Sequence, residues 1–187
     1  MNTNFFLTDV QTSRKYARQH TDEGAVTSDY VPRRRTVLKM LNDLLATEII
    51  CVLRYRRHYF MSKGIVSTSI SNEFLVHANE ELGHVDLLAE RIAQLGGEPN
   101  FSPDSLSKRS HAEYIEADSL ANMIKEDLIA ERIGISGYRE MIQYLGNEDP
   151  KTRFMLESIL SVEEKHAEDM AHLLGSLPPR MSRSGIS

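Results

Sequence analysis

The chain has 187 residues, of which 41% are hydrophobic and 26% are charged, and its formal net charge is −5 at pH 7. This length suits one domain, and the composition excludes the low hydrophobicity and high charge that are typical of disordered chains. The mild negative charge also excludes a protein whose whole surface binds phosphate, because such domains are usually strongly basic.

The cysteine content and the absence of long apolar segments indicate a compartment. Cys51 is the single cysteine, so no intramolecular disulfide can form, and this fits a reducing environment. The first residues lack a basic start followed by an apolar run, and no stretch reaches the ~18 apolar residues that span a bilayer. We therefore expect a cytoplasmic protein without a membrane segment.

The first third of the chain contains a polar segment and then a helical pattern. Residues 1–35 are polar and aperiodic, and we interpret them as an N-terminal extension. From Thr36 to about Lys63, apolar residues recur at the spacing of one helix face, and Gly64 follows as a stop signal. This pattern predicts a long first helix.

A second helix and a long connection follow. The helix is predicted to begin within residues 67–71 and to end at Gly96 and Gly97. The next segment, residues 98–116, contains two prolines, four serines and one aspartate. It is too long for a tight turn between neighbouring helices, so it predicts a crossover along the bundle.

Two further helices complete the pattern. They are predicted over residues 117–145 and 149–174, and residues 175–187 are interpreted as a tail because they contain two prolines and little periodicity. Four long helices with one long central connection indicate an all-α, ferritin-like four-helix bundle over residues 36–174, with the crossover between helices two and three.

Each predicted helix carries ionisable residues within its apolar stripe. The first and third helices each have one inward glutamate, and the second and fourth each have a Glu-x-x-His pair, whose members share a helix face. The candidate metal-binding and catalytic residues are Glu48, Glu81, His84, Glu131, Glu163 and His166. A single Glu-x-x-His is often a surface salt bridge, but the ordered repeat on four helices favours one shared site.

Elementary electrostatics explains why this set indicates metal ions. Four carboxylates inside an apolar core would each cost several kcal/mol if they were charged and unpaired. Two divalent cations balance four negative charges, and neutral imidazoles complete the coordination. The Glu plus Glu-x-x-His pattern is that of di-iron carboxylate bundles. We therefore predict two iron ions per subunit, which can pass electrons to dioxygen.

Several residues near the predicted centre are not expected to bind metal themselves, and for some of them two interpretations remain. Tyr55 and Tyr138 either donate hydrogen bonds to the metal ligands or are plain core tyrosines. Glu80 and Glu164 lie beside the apolar stripe and are interpreted as flanking residues, on an iron access route or simply solvated. Cys51 is expected to be small and buried. Four histidines without comparable partners are interpreted as surface or satisfied residues: His58, His77, His111 and His172.

Four segments resemble the bacterioferritin branch of the ferritin superfamily, over about residues 36–174. They are LNDLLATE at 41–48, ELGH at 81–84, DLIAE at 127–131 and ILSVEEKH at 159–166. The resemblance implies a ferroxidase centre within one subunit and a hollow cage that stores ferric mineral. It also implies that Glu81 and Glu163 bridge two irons, while Glu48 with His84, and Glu131 with His166, each cap one.

Two departures from the bacterioferritin pattern refine this expectation. Leu82 stands where bacterioferritins have a haem-ligating methionine, so haem binding by that route is not expected. The tail after Leu174 does not resemble the short fifth helix of the larger cages. DNA-protection-during-starvation proteins, the Dps group, form smaller cages without that helix, so we expect a homo-oligomeric dodecamer rather than a 24-mer.

Three functions remain open at this stage. The first is a ferroxidase and iron-storage cage that uses O2 or H2O2. The second is a Dps-like DNA-protecting protein, since residues 1–35 carry six basic and four acidic residues, and Arg180 and Arg183 follow in the tail; a solvated extension without function is the alternative. The third is a di-iron oxidase or peroxidase without mineral storage.

Overall fold

The computed structural model describes residues 9–21, 26, 30, 32–62 and 68–177. Its four long helices are α2 (Arg34–Ser62), α3 (Thr68–Gln94), α5 (Leu120–Leu145) and α6 (Pro150–Ser176). A short helix, α1 (Val10–Gln19), precedes them, and a 3-10 turn (Pro103–Ser105) and α4 (Leu106–Arg109) lie between α3 and α5. The prediction of an all-α four-helix bundle is confirmed.

Local signals set the starts of the last two long helices. The Ser119 side chain caps α5 by accepting a hydrogen bond from the Asn122 amide, so this helix begins three residues later than predicted. Asp149 caps α6 in the same way through the Thr152 amide, and Pro150 occupies the first turn, where its missing N–H is tolerated.

The four long helices bury two apolar clusters with polar residues between them. One cluster includes Leu41 and Leu88, and the other includes Phe74 and Ile124. Along each long helix, the predicted metal ligands lie between the residues of one cluster and those of the other. The ligands are therefore held by rigid, packed helices at mid-height of the bundle.

The connection between α3 and α5 runs along α2, as predicted. Near its start, the Asn100 amide donates to Asn42 Oδ1 at 2.8 Å. Near its end, Arg54 on α2 donates to the Glu113 carbonyl at 2.9 Å. The start of the connection therefore contacts the first half of α2, and its end contacts the second half. A connection that runs along the length of a helix in this way is a crossover. The short helix α4 within it was not predicted, because it has a single buried residue, Leu106.

Helix α1 is a difference from the sequence prediction of an aperiodic extension. Asp9 caps it by accepting hydrogen bonds from the Gln11 and Thr12 amides at 2.9 and 3.1 Å. No residue of α1 is buried. Because α1 contributes no residue to the buried core, no apolar core stripe marks it in the sequence, and its cap is its main local determinant.

Several predicted features fall outside the described residues. These include most of the tail, the stop at Gly64 and the remainder of the extension, so the division at residues 35 and 174 stays a prediction. Among the residues that the structure describes, every helix is too short or too polar to span a bilayer.

A buried ion-pair network joins α2 to α5. Arg54 Nη2 lies 3.1 Å from Asp127 Oδ1, and His58 Nδ1 lies 2.7 Å from Asp127 Oδ2. All three side chains are buried. His58 is therefore a core histidine that is paired through Nδ1, although its Nε2 has no hydrogen-bond partner among the described residues. His111 and His172 are exposed, in agreement with their predicted interpretation.

Replacing Asp127 by asparagine should destabilise the bundle by about 3 kcal/mol or more, because Arg54 would keep a buried charge without a partner. Chemical unfolding of metal-free protein at fixed subunit concentration measures this. The matched control is Glu116→Gln, which removes the more exposed partner of Arg57 and should cost about 1 kcal/mol or less. Equal losses in the two variants would contradict the assignment.

Candidate metal centre

The six residues predicted from the sequence meet in the middle of the bundle. One glutamate comes from α2 and one from α5, and a Glu-x-x-His pair comes from each of α3 and α6. All six side chains are buried: Glu48, Glu81, His84, Glu131, Glu163 and His166. The fold thus brings together residues that are up to 118 positions apart in the chain.

These six side chains form two overlapping groups of four. One ligand atom from each of Glu48, Glu81, His84 and Glu163 lies within 4.8 Å of the others, and the same holds for Glu81, Glu131, Glu163 and His166. Glu81 and Glu163 belong to both groups. Each group has three carboxylates and one imidazole, a donor set that suits first-row divalent metals.

The His84 half of the centre is tightly packed. His84 Nδ1 lies 2.8 Å from Glu163 Oε1, 3.3 Å from Glu81 Oε2 and 3.4 Å from Glu48 Oε2. One ring nitrogen therefore faces three carboxylates that come from three different helices.

The His166 half is arranged differently. His166 Nδ1 lies 3.1 Å from Glu81 Oε1 and 3.9 Å from Glu131 Oε2. Its other nitrogen, Nε2, lies 2.7 Å from Glu80 Oε2, a carboxylate that is partly exposed. This half is therefore connected to the protein surface through Glu80.

Two tyrosines hold the outer glutamates by crossed hydrogen bonds. Tyr138 on α5 donates to Glu48 Oε1 on α2 at 2.6 Å, and Tyr55 on α2 donates to Glu131 Oε1 on α5. Both tyrosines are buried. Their hydrogen bonds use Oε1 of each glutamate, so that Glu48 Oε2 and Glu131 Oε2 remain available to the centre. Of the two open interpretations of these tyrosines, the structure supports the hydrogen bond to a candidate ligand.

Three carboxylate oxygens of the centre accept no well-aligned hydrogen bond among the described residues, although His84 Nδ1 approaches two of them. The three oxygens are Glu48 Oε2, Glu131 Oε2 and Glu163 Oε1, and each is buried. Buried polar atoms in folded proteins are almost always paired, so such a cluster of orphaned acceptors needs an explanation. A pair of divalent cations would occupy these lone pairs, and the residues present therefore fit a dinuclear metal site.

Without cations, the centre retains protons. Burial, together with the charges of Glu48 and Glu131, raises the pKa of Glu81 well above its usual value. Burial and the charge of Glu163 likewise raise the pKa of Glu131 well above its usual value. Burial, Glu81 and Glu48 raise the pKa of Glu163 to about 8. A metal ion that binds here must therefore displace protons.

Two groups of the metal-free centre remain charged. Burial lowers the pKa of His84, but Glu163, Glu48 and Glu81 outweigh burial and raise it to about 12. Burial raises the pKa of Glu48, yet its hydrogen bonds to Glu81, His84 and Tyr138 give a net lowering. In the absence of metal, an imidazolium thus replaces a cation beside Glu48.

The structure gives one histidine near the centre polar partners that the sequence analysis does not predict. His77 was expected to lack comparable partners, but its ring stacks on His166 with centroids 4.0 Å apart. It also lies 3.5 Å from both Glu73 Oε1 and Asp169 Oδ2. The available signal was the spacing of three or four residues that places Glu73, His77 and Glu81 on one face of α3.

The remaining neighbours match their sequence interpretation in part. Glu164 pairs with exposed Arg139 and is solvated, whereas Glu80 contacts His166. Cys51 is buried, as expected. Burial and the charges of the surrounding carboxylates, Glu81 first, raise its pKa well above the usual value, so its thiol stays protonated.

Fold and site together define a member of a known family. Residues 38–179 match the family model described as "Ferritin-like domain", which covers more than half of the chain. This chain therefore belongs to the ferritin-like domain family.

Relatives of two kinds are similar to this chain. It is 34% identical over 142 residues to the nutrient stress-induced DNA-binding protein of Nostoc sp., covering 74% of this chain and 77% of that protein. It is 25% identical over 146 residues to the bacterioferritin of Mycobacterium leprae, covering 75% and 87%. A solved structure, the bacterioferritin-related dodecameric thioferritin of Bacteroides fragilis, is similar with a TM-score of 0.75 and 25% identity, covering 83% of this chain and 94% of that one.

The stability of the metal-free protein should fall as pH rises. Glu163 has a folded-state pKa of about 8 against an ordinary value of 4.5, so the folded chain holds more protons than the unfolded chain between those values. The contribution of Glu163 to the free energy of unfolding therefore decreases through about pH 5 to 8. Burial lowers the pKa of His77 to about 4, so His77 opposes this decrease, but only below its ordinary pKa of 6.5. The raised pKa of His84, Glu81 and Glu131 acts in the same direction.

Calorimetry of chelator-treated protein across that range provides the measurement. In the variant Glu163→Gln, which cannot ionise at this position, the decrease should be smaller. Stability that is constant or rises with pH would show that the centre does not retain its protons.

Proposed function

We propose that this protein oxidises ferrous iron at a dinuclear centre and stores the ferric product inside a cage of identical subunits. The observation that carries the proposal is the pair of overlapping four-residue groups, with buried carboxylate oxygens that lack well-aligned hydrogen-bond partners. Membership of the ferritin-like domain family supports iron as the metal.

The two shared residues have the geometry of bridging ligands. Glu81 and Glu163 would each contact both iron positions, because both belong to both groups. Glu48 with His84 would then complete one position, and Glu131 with His166 the other. This assignment gives four carboxylates to two divalent ions, which balances their charge.

The protein positions the ligands, manages protons and excludes water. Two ferrous ions, bound as substrate, supply the electrons that reduce dioxygen or hydrogen peroxide. Tyr55 and Tyr138 keep Glu131 and Glu48 turned toward the centre by their hydrogen bonds. Glu163 gives up its proton when a cation binds, and the apolar residues above and below the centre limit hydration.

Replacing both shared carboxylates, Glu81→Gln and Glu163→Gln, should abolish rapid oxidation. Even residues that only support a metal ligand typically contribute about ten- to a hundredfold, so we expect a loss of about a hundredfold or more. The rate is measured by stopped-flow absorbance after ferrous iron and oxygen are mixed. The bundle should stay folded, because the change removes buried charge.

The matched control is the double variant Asp86→Asn and Glu168→Gln. It removes two exposed carboxylates from the same two helices, α3 and α6. Its oxidation rate should equal that of the unchanged protein. Unchanged kinetics in the Glu81 and Glu163 variant would place the reaction elsewhere in the molecule.

The proposed assembly is a dodecamer rather than a 24-mer, with no haem bound at Leu82. The dodecameric state of the Bacteroides fragilis protein supports this number. Large apolar side chains are exposed on the outer faces of α3 and α6, among them Leu82, Leu87 and Phe154. Such side chains favour burial against another subunit.

DNA binding is a second candidate function, and helix α1 favours it. Arg14, Lys15 and Arg18 are exposed on this helix, which contains no acidic residue. The relative from Nostoc sp. is itself described as a DNA-binding protein. Repetition of α1 over the surface of a cage would create multivalent phosphate contacts.

Reversing the three charges, with Arg14→Glu, Lys15→Glu and Arg18→Glu, should eliminate a mobility shift of duplex DNA. The salt dependence of binding should also weaken. The slope of log K against log salt concentration should become less negative by roughly 0.9 for each phosphate that the protein no longer neutralises. A titration by fluorescence anisotropy at several salt concentrations measures both effects.

The control reverses three exposed basic residues outside α1: Lys108, Arg132 and Lys151. This variant should bind DNA as the unchanged protein does. Equal loss of binding in both variants would indicate nonspecific attraction, and no binding by the unchanged protein would remove this function.

A further inference from the structure

A group of polar residues lies beside the His166 half of the centre, on α3 and α6. We call Glu73, His77 and Asp169 the outer cluster. His77 Nε2 lies 3.5 Å from Glu73 Oε1 and 3.5 Å from Asp169 Oδ2. The His77 side chain is fully buried, whereas the carboxylates of Glu73 and Asp169 are 38% and 33% exposed. The outer cluster is therefore open to solvent on its carboxylate side only.

Hydrogen counting gives the orientation of the His77 ring when Glu131 is ionised. The Tyr55 hydroxyl has one proton, which it then donates to Glu131 Oε1. His77 Nδ1 lies 3.2 Å from the same hydroxyl oxygen, so in that state Nδ1 is the donor in that contact. In a neutral imidazole, the lone pair is then on Nε2 and faces Glu73 and Asp169.

This arrangement is unfavourable without a cation. His77 Nε2 and Asp169 Oδ2 are both buried atoms without a hydrogen-bond partner among the described residues. Lys165 Nζ, 3.4 Å from Asp169 Oδ2, supplies one positive charge against two carboxylates. A lone pair that faces two carboxylate oxygens is electrostatically unfavourable, and a positively charged ion between them would relieve this repulsion.

The distances suit a small divalent cation. An ion bound at ~2.1 Å by ligands in tetrahedral positions separates those ligands by roughly 3.4 Å. The two measured separations from His77 Nε2 are both 3.5 Å. The outer cluster therefore requires little rearrangement to bind such an ion.

The other half of the bundle lacks an equivalent cluster. His84 and His166, like Glu81 and Glu163, are 82 positions apart, so the two halves can be compared position by position. With the same shift of 82 positions, Met155 and Ile159 are the equivalents of Glu73 and His77. Leu87 is the equivalent of Asp169. The outer cluster is thus an addition to one half of the bundle and does not follow from the repeat.

We propose that Glu73, His77 and Asp169 form a third divalent-cation site, distinct from the dinuclear centre. One imidazole nitrogen and two carboxylate oxygens suit a first-row transition metal such as Zn²⁺, Co²⁺ or Fe²⁺, with water as the remaining ligand. The His77 to Tyr55 to Glu131 hydrogen bonds link this site physically to the dinuclear centre.

Zinc binding to the metal-free protein tests the proposal without any oxidation reaction. Isothermal titration and metal analysis after desalting should give three Zn²⁺ per chain for the unchanged protein. The double variant Glu73→Gln and Asp169→Asn should bind two. The control Asp86→Asn and Glu168→Gln, with the same charge change on the same helices, should still bind three.

Two further results separate this proposal from the proposed function. The variant Glu81→Gln and Glu163→Gln should retain the Zn²⁺ that depends on Glu73 and Asp169, even if the dinuclear centre does not bind metal. A crystal soaked in Zn²⁺ should show anomalous density at ~2.1 Å from His77 Nε2.

If the Glu73 and Asp169 variant binds as many Zn²⁺ ions per chain as the unchanged protein, the proposal of a third site is wrong. The absence of anomalous density beside His77 would contradict the proposal as well.

Discussion

The mutual repulsion of four glutamates inside an apolar core is the constraint on which the rest of this structure depends. Glu48, Glu81, Glu131 and Glu163 are all buried, and among the described residues their polar contacts include one another, two imidazoles and two phenols. Such a cluster persists only if protons or cations neutralise it. Retained protons suffice in the metal-free chain, and any cation that binds must displace those protons.

This constraint also explains the arrangement around the centre. The crossed hydrogen bonds from Tyr55 and Tyr138 fix the outer glutamates on opposite helices, so α2 and α5 position one another's ligands. Buried ion pairs such as Arg54 with Asp127 connect the same two helices farther from the centre. The bundle is therefore rigid where ligand positions matter most, as a preorganised metal site requires.

Helical periodicity predicted the four helices and all six central residues, because an inward glutamate conflicts with an apolar stripe and can be recognised within one helix. Contacts between helices leave no such signal. His77 is buried on α3, but its contact with Asp169 depends on how α6 packs. Helix α1 was not predicted because none of its residues belongs to the buried core.

Size-exclusion chromatography with light scattering on iron-loaded protein tests the central claim most directly, when the eluate is also read where ferric mineral absorbs. A dodecameric cage should elute together with ferric mineral, at far more iron per chain than two ions. Two ions per chain is the number that the six central residues could hold: Glu48, Glu81, His84, Glu131, Glu163 and His166. A dimer that carries only those two ions per chain would contradict storage and indicate a di-iron oxidase instead.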